Sequence, residues 1–269
     1  MKQIIHSQLF LLGIITLVGL STLSSLRAQD SDAQKSVYLI GNSLTWDTVP
    51  SRLEEDVQWH VDCGKSLKFI YEHPGMPCVK NSTLWTEALK AKKYDIVSVQ
   101  PHYGTTLEED VQTISKWIEM QPQAIFIIHT GWARSATLTE EYFAEEPAKK
   151  MSHQPAYIRA LITQLKQKHP ETEFRTTHAM RLLIELKKGI DAESVPLSAV
   201  EDVYRDAIHM TLTGGRYLMH NAMRETIGQK RTSIGFEKVP DDLRVVLDKL
   251  LDQRTTWDIA GPAKKAQAQ

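Results

Sequence analysis

Three short runs in this chain are apolar almost from end to end: residues 37–40 (Val-Tyr-Leu-Ile), 95–99 (Asp-Ile-Val-Ser-Val) and 124–128 (Ala-Ile-Phe-Ile-Ile). Each is four or five residues long and rich in β-branched and aromatic side chains, which reads as a strand buried on both faces. Between and after them, apolar residues recur at helical spacing: Val111, Ile114, Trp117 and Ile118 in one segment, and Ile158, Leu161, Ile162 and Leu165 in another. Strands of this kind separated by amphipathic helices exclude a hairpin meander. They predict an α/β chain with a parallel sheet and helices on both faces.

The remaining elements are read in the same way. Val49, Leu53 and Val57 fall at four-residue intervals, with Glu54, Glu55 and Asp56 facing elsewhere, so residues 49–59 are expected to be a helix. Residues 67–71 are expected to be the second strand and residues 173–177 the fifth. Asn81 or Ser82 can cap a helix carrying Leu84, Trp85, Ala88 and Leu89, and Thr213 a helix through Tyr217, Leu218 and Met223. Residues 179–187 and 243–251 read as further helices. Residues 133–154 are more polar, with Glu140, Glu141, Glu145 and Glu146, and are expected to be an insertion over the strand ends rather than core. There is no internal repeat and no linker, so residues 29–269 are expected to form one domain. Ligands of such a sheet sit at the carboxyl ends of the strands. Ser43, Gly75, Gln100 and His129 are expected there.

The first strand stops abruptly at Gly41-Asn42-Ser43, and a helical pattern follows. That is a tight turn presenting one hydroxyl. A serine at such an elbow serves as a nucleophile only when a base reaches it; otherwise it is a helix cap. Asp206-Ala207-Ile208-His209 offers the base: with carboxylate and imidazole three residues apart on a turn, the acid can hold Nδ1–H and leave Nε2 free.

The formal charge of −1 over 269 residues gives no field that would draw nucleic acid or an anionic membrane. The N-terminus differs from the rest. Lys2 precedes an apolar run over residues 9–23, and Ser24-Ser25-Leu26-Arg27-Ala28 resembles a cleavage region, so residues 1–28 are read as a secretory signal peptide. The run is about 15 residues, short of the ~20 a spanning helix needs. The location expected is secreted or periplasmic, with no membrane association after removal of the signal. Cys63 and Cys78 are then available to pair, although spacing alone does not supply their separation in space.

Gly41-Asn42-Ser43-Leu44 resembles the first block of the SGNH, or GDSL-type, hydrolase superfamily, in its GNSL-type subgroup, and Asp206-x-x-His209 resembles the last block. The similarity in order and spacing runs from about residue 37 to 228. It implies a flavodoxin-like three-layer α/β/α sandwich with a parallel sheet of about five strands. It also implies a triad in which Ser43 attacks an acyl carbonyl, His209 takes its proton and Asp206 orients His209. The implied oxyanion hole uses the Ser43 amide, a glycine after the second strand, for which Gly75 stands in the matching place, and a polar side chain after the third. Two positions depart from the pattern. Asn42 replaces the usual acid before the serine. The usual Gly-x-Asn-Asp block is replaced by Val99-Gln100-Pro101-His102-Tyr103-Gly104, where Gln100 is the expected donor and His102 a second candidate.

The other histidines show no H-x-x-x-H or H-E-x-x-H spacing, so neither a metal nor another cofactor is expected. Trp46, Tyr103 and Trp132 are expected near the pocket mouth, where they can stack on sugar rings or simply pack, and Arg134 is read as a surface arginine that could also pair with an acidic substrate group. These features together predict a secreted serine ester hydrolase working through an acyl-enzyme, deacylating, and in particular deacetylating, a small-molecule or carbohydrate ester. The alternative is a catalytically degraded protein of the same fold that binds a glycan or a partner.

Overall fold

The computed structural model describes residues 35–54, 56–145 and 153–257. The expected signal peptide lies outside them, as does part of the 133–154 segment. The order of elements is β1 (Ser36–Gly41), α1 (Ser43–Asp47), a 3-10 turn (Pro50–Arg52), β2 (Asp56–Val61), α2 (Leu67–Glu72), α3 (Trp85–Ala91), β3 (Ile96–Val99), α4 (Leu107–Met120) and β4 (Ile125–Ile128). There follow a 3-10 turn (Ser135–Thr137), α5 (Leu138–Phe143), α6 (Pro155–Lys168), β5 (Phe174–Thr176), α7 (Ala179–Asp191), a 3-10 turn (Val200–Val203), α8 (Gly215–Ile227) and α9 (Asp241–Arg254).

The five strands pair in the order β2-β1-β3-β4-β5, all parallel. This is the flavodoxin-like order, in which the chain changes direction across the sheet between β1 and β3 and leaves a crevice there. Alternation along each strand assigns the two faces. Tyr38, Ile40, Val97, Val99, Phe126 and Ile128 pack against α2, α3, α4 and α6. Val37, Leu39, Ile96 and Ile127 face the other way, against Met223 and Ile227 of α8. Behind α8, the helices α5, α7 and α9 share a third apolar cluster with Leu44 and Trp132. Among the described residues no helix is long and apolar enough to cross a membrane.

Two expected elements are exchanged. Residues 49–59 form no helix: Val49 adopts a left-handed backbone, Pro50 opens a 3-10 turn, and β2 begins at Asp56. β2 is an edge strand whose first four residues are only partly covered, so Gln58 and His60 within it hide the strand pattern. Residues 67–71, expected as a strand, lie in helix α2, which Ser66 caps by accepting from Phe69 N–H at 3.3 Å. A five-residue apolar run does not distinguish the two conformations, and here the cap decides. The strand count survives, but the second strand ends earlier than expected. Thr213 is not the cap of α8. Thr211 Oγ1 accepts the Gly215 N–H instead, at 3.3 Å. In the 133–154 segment, Leu138 and Tyr142 of α5 are buried in the core against α7, so its described part is not a peripheral insertion.

Burial has an electrostatic signature. Removal from water lowers His60, His102, His129 and His220 from the ordinary 6.5 to about 4, and His153 well below its ordinary value. The unfolded chain therefore binds more protons than the folded one between pH 6.5 and 4, and stability falls as pH drops through that window. Asp110, held up to about 7 by burial, and Asp62 and Glu141, also raised by burial, act in the opposite sense. Five histidines outweigh three carboxyls, so the urea midpoint is expected to fall steadily from pH 7 to pH 4. A flat or rising midpoint would show that these histidines are not buried and neutral.

Candidate active site

The elbow after β1 is built from three side chains. Asn42 caps α1: its Oδ1 accepts the Leu44 N–H at 3.0 Å, while its Nδ2 donates to the Lys65 carbonyl at 3.2 Å. A carboxylate there could accept the first bond but not make the second, which gives the departure from the family pattern a structural reason. Gln100, wholly buried at the end of β3, accepts at Oε1 from Asn42 N–H (3.2 Å), Thr45 N–H (3.2 Å) and Thr45 Oγ1 (3.1 Å). Its Nε2 donates to the Pro101 carbonyl at 3.0 Å. Gly41 is required by close approach, since a Cβ would lie 2.1 Å from Thr45 Oγ1 and 2.9 Å from Gln100 Cβ. The expected oxyanion role of Gln100 is therefore corrected. Its amide is turned away into the elbow, which it braces, and it does not line the cavity.

Ser43 is the first residue of α1, partly exposed, and among the described residues no acceptor takes its N–H. Its Oγ lies 2.9 Å from His209 Nε2. His209 Nδ1 lies 2.9 Å from both Asp206 oxygens. Asp206 Oδ1 also accepts the backbone N–H groups of Ile208 (3.0 Å) and His209 (2.9 Å), so one carboxylate shapes the turn and orients the ring. Burial acts to raise the Asp206 carboxyl. The bonds from the His209 and Ile208 N–H groups and from the imidazole outweigh it and hold the carboxyl well below the ordinary carboxylate range.

Hydrogen bonds dock this turn on the elbow. Asp47, four residues after Ser43 and fully buried, accepts the Met210 N–H at 2.7 Å on Oδ2. Its Oδ1 receives Arg216 through Nε at 2.9 Å and an Nη at 2.6 Å. From the β4 side, Trp132 Nε1 donates to the Ile208 carbonyl at 2.6 Å, Ser135 N–H to the Ala207 carbonyl at 3.2 Å, and Tyr204 OH to the Ala133 carbonyl at 3.2 Å. The reading from sequence missed Asp47, although its i+4 spacing from Ser43 placed it one helical turn along the same face. Trp132, expected at the pocket mouth, is completely buried and pins the Ile208 carbonyl. His129 is likewise a core residue, with Nδ1 2.9 Å from Thr177 Oγ1.

A cavity of about 570 Å³ opens over the Ser43–His209 pair, lined also by Trp46, Cys63, Gly64, His102, Tyr103, Arg134, Arg205 and Ile208. Gly75 is not among the lining residues. It follows helix α2, not a strand, because β2 ends at Val61. The glycine that does follow the second strand is Gly64, at φ +69°, a conformation that favours glycine. The Cys63–Cys78 disulfide closes the loop on one side of Gly64, and the Asn42–Lys65 bond holds the other. For a loop of about 15 residues the link stabilises by roughly 3 kcal/mol in the chain-entropy description. Beneath the cavity, His102 Nδ1 lies 3.5 Å from His153 Nε2. His153 Nδ1 is 3.9 Å from Glu141 Oε1, and Tyr103 OH donates to Glu141 Oε2 at 2.7 Å. Among the described residues no group of three His, Cys, Asp or Glu side chains is placed to hold a metal ion.

No protein-family model matches the chain, and no curated protein matches it by sequence. Solved structures do resemble it. A DUF4886 family protein from Bacteroides uniformis shares 16% identity over 81% of this chain and 92% of its own, at a TM-score of 0.49. A catalytic mutant of Axe2, an acetylxylan esterase from Geobacillus stearothermophilus, shares 14% over 74% and 96%, at 0.46. A GDSL-like lipase described from Parabacteroides merdae shares 12% over 72% and 96%, at 0.45. In its two sequence blocks the chain resembles the SGNH, or GDSL-type, superfamily. What it does chemically is argued from its own geometry.

Two substitutions separate bracing from catalysis. Gln100→Ala leaves the buried Asn42 and Thr45 N–H groups unpaired, so it is expected to cost about 1–3 kcal/mol per stranded group in a urea titration. An oxyanion donor would instead leave stability alone and lower turnover. Asp47→Ala leaves Arg216 without its partner and releases Met210, with an expected loss of about 3–5 kcal/mol. Thermal unfolding unchanged from the parent protein would overturn the docking role.

Proposed function

We propose that the chain is a serine ester hydrolase acting through an acyl-enzyme. The observation that carries this reading is the continuous arrangement Ser43 Oγ–His209 Nε2 at 2.9 Å and His209 Nδ1–Asp206 at 2.9 Å, opening on a cavity. Ser43 Oγ attacks the acyl carbonyl as His209 Nε2 takes its proton. The Asp206 carboxylate keeps Nδ1 protonated and stabilises the imidazolium that forms. His209 returns the proton to the leaving alcohol, then takes one from water, whose attack on the acyl-enzyme releases the acid and restores Ser43.

The oxyanion is held by the free Ser43 N–H, by the Gly64 backbone at the cavity wall, and by His102. Burial lowers the His102 imidazole to about 4, so it is neutral near pH 7, and from the cavity lining it can donate a ring N–H to the oxyanion. Trp46 and Tyr103 line the cavity, and aromatic side chains there can pack against the apolar side of a sugar ring, which favours an acylated, in particular acetylated, carbohydrate. The disulfide suits an oxidising compartment, in keeping with secretion or a periplasmic location.

Ser43→Ala is expected to lower hydrolysis of 4-nitrophenyl acetate by about 10⁴-fold or more with circular dichroism unchanged. An active-site phosphonate should add once, at Ser43, by mass spectrometry. Full activity in the variant would sink the mechanism, and no adduct together with glycan binding would favour the binding protein over the enzyme. His102→Ala is expected to lower kcat by about 10²–10³ with little change in KM. An unchanged kcat would return the oxyanion to the backbone donors alone.

A further inference from the structure

The cavity over Ser43 has a charge that the hydrolytic reading does not use. Two guanidinium groups line it, Arg134 and Arg205. The acidic side chain in the same wall, Asp47, is fully buried and already bonded to Arg216 and the Met210 N–H, so its charge is met inside the protein. His102 is neutral because it is buried. Asp206 lies outside the lining and is engaged by His209, with Arg205 Nε 3.5 Å from its Oδ2. Arg134 is exposed, and its guanidinium makes no hydrogen bond or ion pair among the described residues. It also lines the adjoining hollow with Glu140 and Glu141, of which Glu141 is buried, bonded to Tyr103 and raised by that burial toward its neutral form.

The backbone around these arginines is held in place. Arg134 immediately precedes the Ser135–Thr137 turn, whose Thr137 N–H bonds to the Arg134 carbonyl at 3.1 Å. Ser135 N–H reaches the Ala207 carbonyl, and Arg205 N–H the His209 carbonyl at 2.8 Å. The bonds that dock the triad turn therefore also bring both arginines to the cavity where Ser43 stands. A neutral ester would leave an unpaired guanidinium facing it. A planar two-oxygen anion would fit the donor fork of Arg134.

We infer that Arg134, in the cavity that Arg205 also lines, forms an anion subsite, and that the substrate is an ester bearing a carboxylate. This rests on the hydrolase reading and narrows its substrate class. The carboxylate can belong to the acyl part, as in a dicarboxylic half-ester, or to the alcohol part, as in an acylated uronic acid. Both present the same group to Arg134.

The test compares kcat/KM for 4-nitrophenyl acetate with that for the 4-nitrophenyl half-ester of succinic acid, and acetylated glucuronic acid with acetylated glucose. A ratio measured on one sample cancels the folded and active fraction, so misfolding of a variant does not mimic the effect. The parent protein is expected to favour the anionic member of at least one pair by roughly tenfold or more, as one charge-assisted hydrogen-bonded pair implies. The preference should shrink as ionic strength rises past about 0.1 M. Arg134→Gln should remove most of it, and Arg134→Lys should restore part. The succinate pair responding alone places the carboxylate on the acyl side, the glucuronate pair alone on the alcohol side. Equal ratios in parent and Arg134→Gln for both pairs would overturn the subsite. If no ester is hydrolysed, the hydrolase reading fails separately, and titrations with glucuronate and with succinate followed by tryptophan fluorescence still decide: saturable quenching by either that is lost in Arg134→Gln supports the subsite, and quenching by neither in the parent overturns it.

Discussion

The site depends on the buried carboxylate of Asp47. One end of α1 carries Ser43 and the other carries Asp47, whose two oxygens hold the Met210 N–H and the Arg216 guanidinium. Met210 follows His209 directly, so His209 is positioned relative to Ser43 by a single helical turn and one short hydrogen bond. The partners come from segments more than 160 residues apart in sequence. A buried ion pair contributes little to stability on balance against its desolvation, yet removing one partner is costly, and such pairs are best understood as fixing one arrangement among several. Here the arrangement fixed is the meeting of Ser43 and His209.

The elbow itself obeys a related constraint. Parallel strands β1 and β3 end side by side at the point where the sheet changes direction, and the backbone N–H groups at the start of α1 need acceptors there. Asn42 serves one and Gln100 another, each through a buried side-chain amide that both accepts and donates. The Ser43 N–H, between them, is left over. Its neighbours are satisfied internally, and under the proposed hydrolase reading the Ser43 N–H is the donor left for the oxyanion. After β3, Gln100 supports the backbone of the elbow, and His102 lines the cavity.

Much of this was legible along the chain. Buried strands are short and continuously apolar, so β1, β3 and β4 stood out, and helices α4 and α6 showed their apolar stripes. Ser43, Asp206 and His209 were legible because a turn brings Asp206 and His209 together locally, whatever the rest of the chain does. β2 was not legible, because an edge strand exposes one side and mixes polar with apolar residues, and the helical spacing of Val49, Leu53 and Val57 was coincidental. That one error displaced the expected glycine from Gly64 to Gly75. The role of Gln100 was missed for a different reason: residue type shows that an amide can donate, but not which way it is turned.

The amino-acid sequence by itself determined the class of fold, the elbow and the Asp206–His209 turn, since these rest on periodicity and on contacts a few residues apart. The tertiary structure decided which glycine borders the cavity, which amide braces instead of donating, that Cys63 meets Cys78, and that Asp47 and Trp132 clamp the histidine turn. Those are long-range choices. They depend on which donors and acceptors burial leaves without water, and that is settled only when the strands are laid side by side.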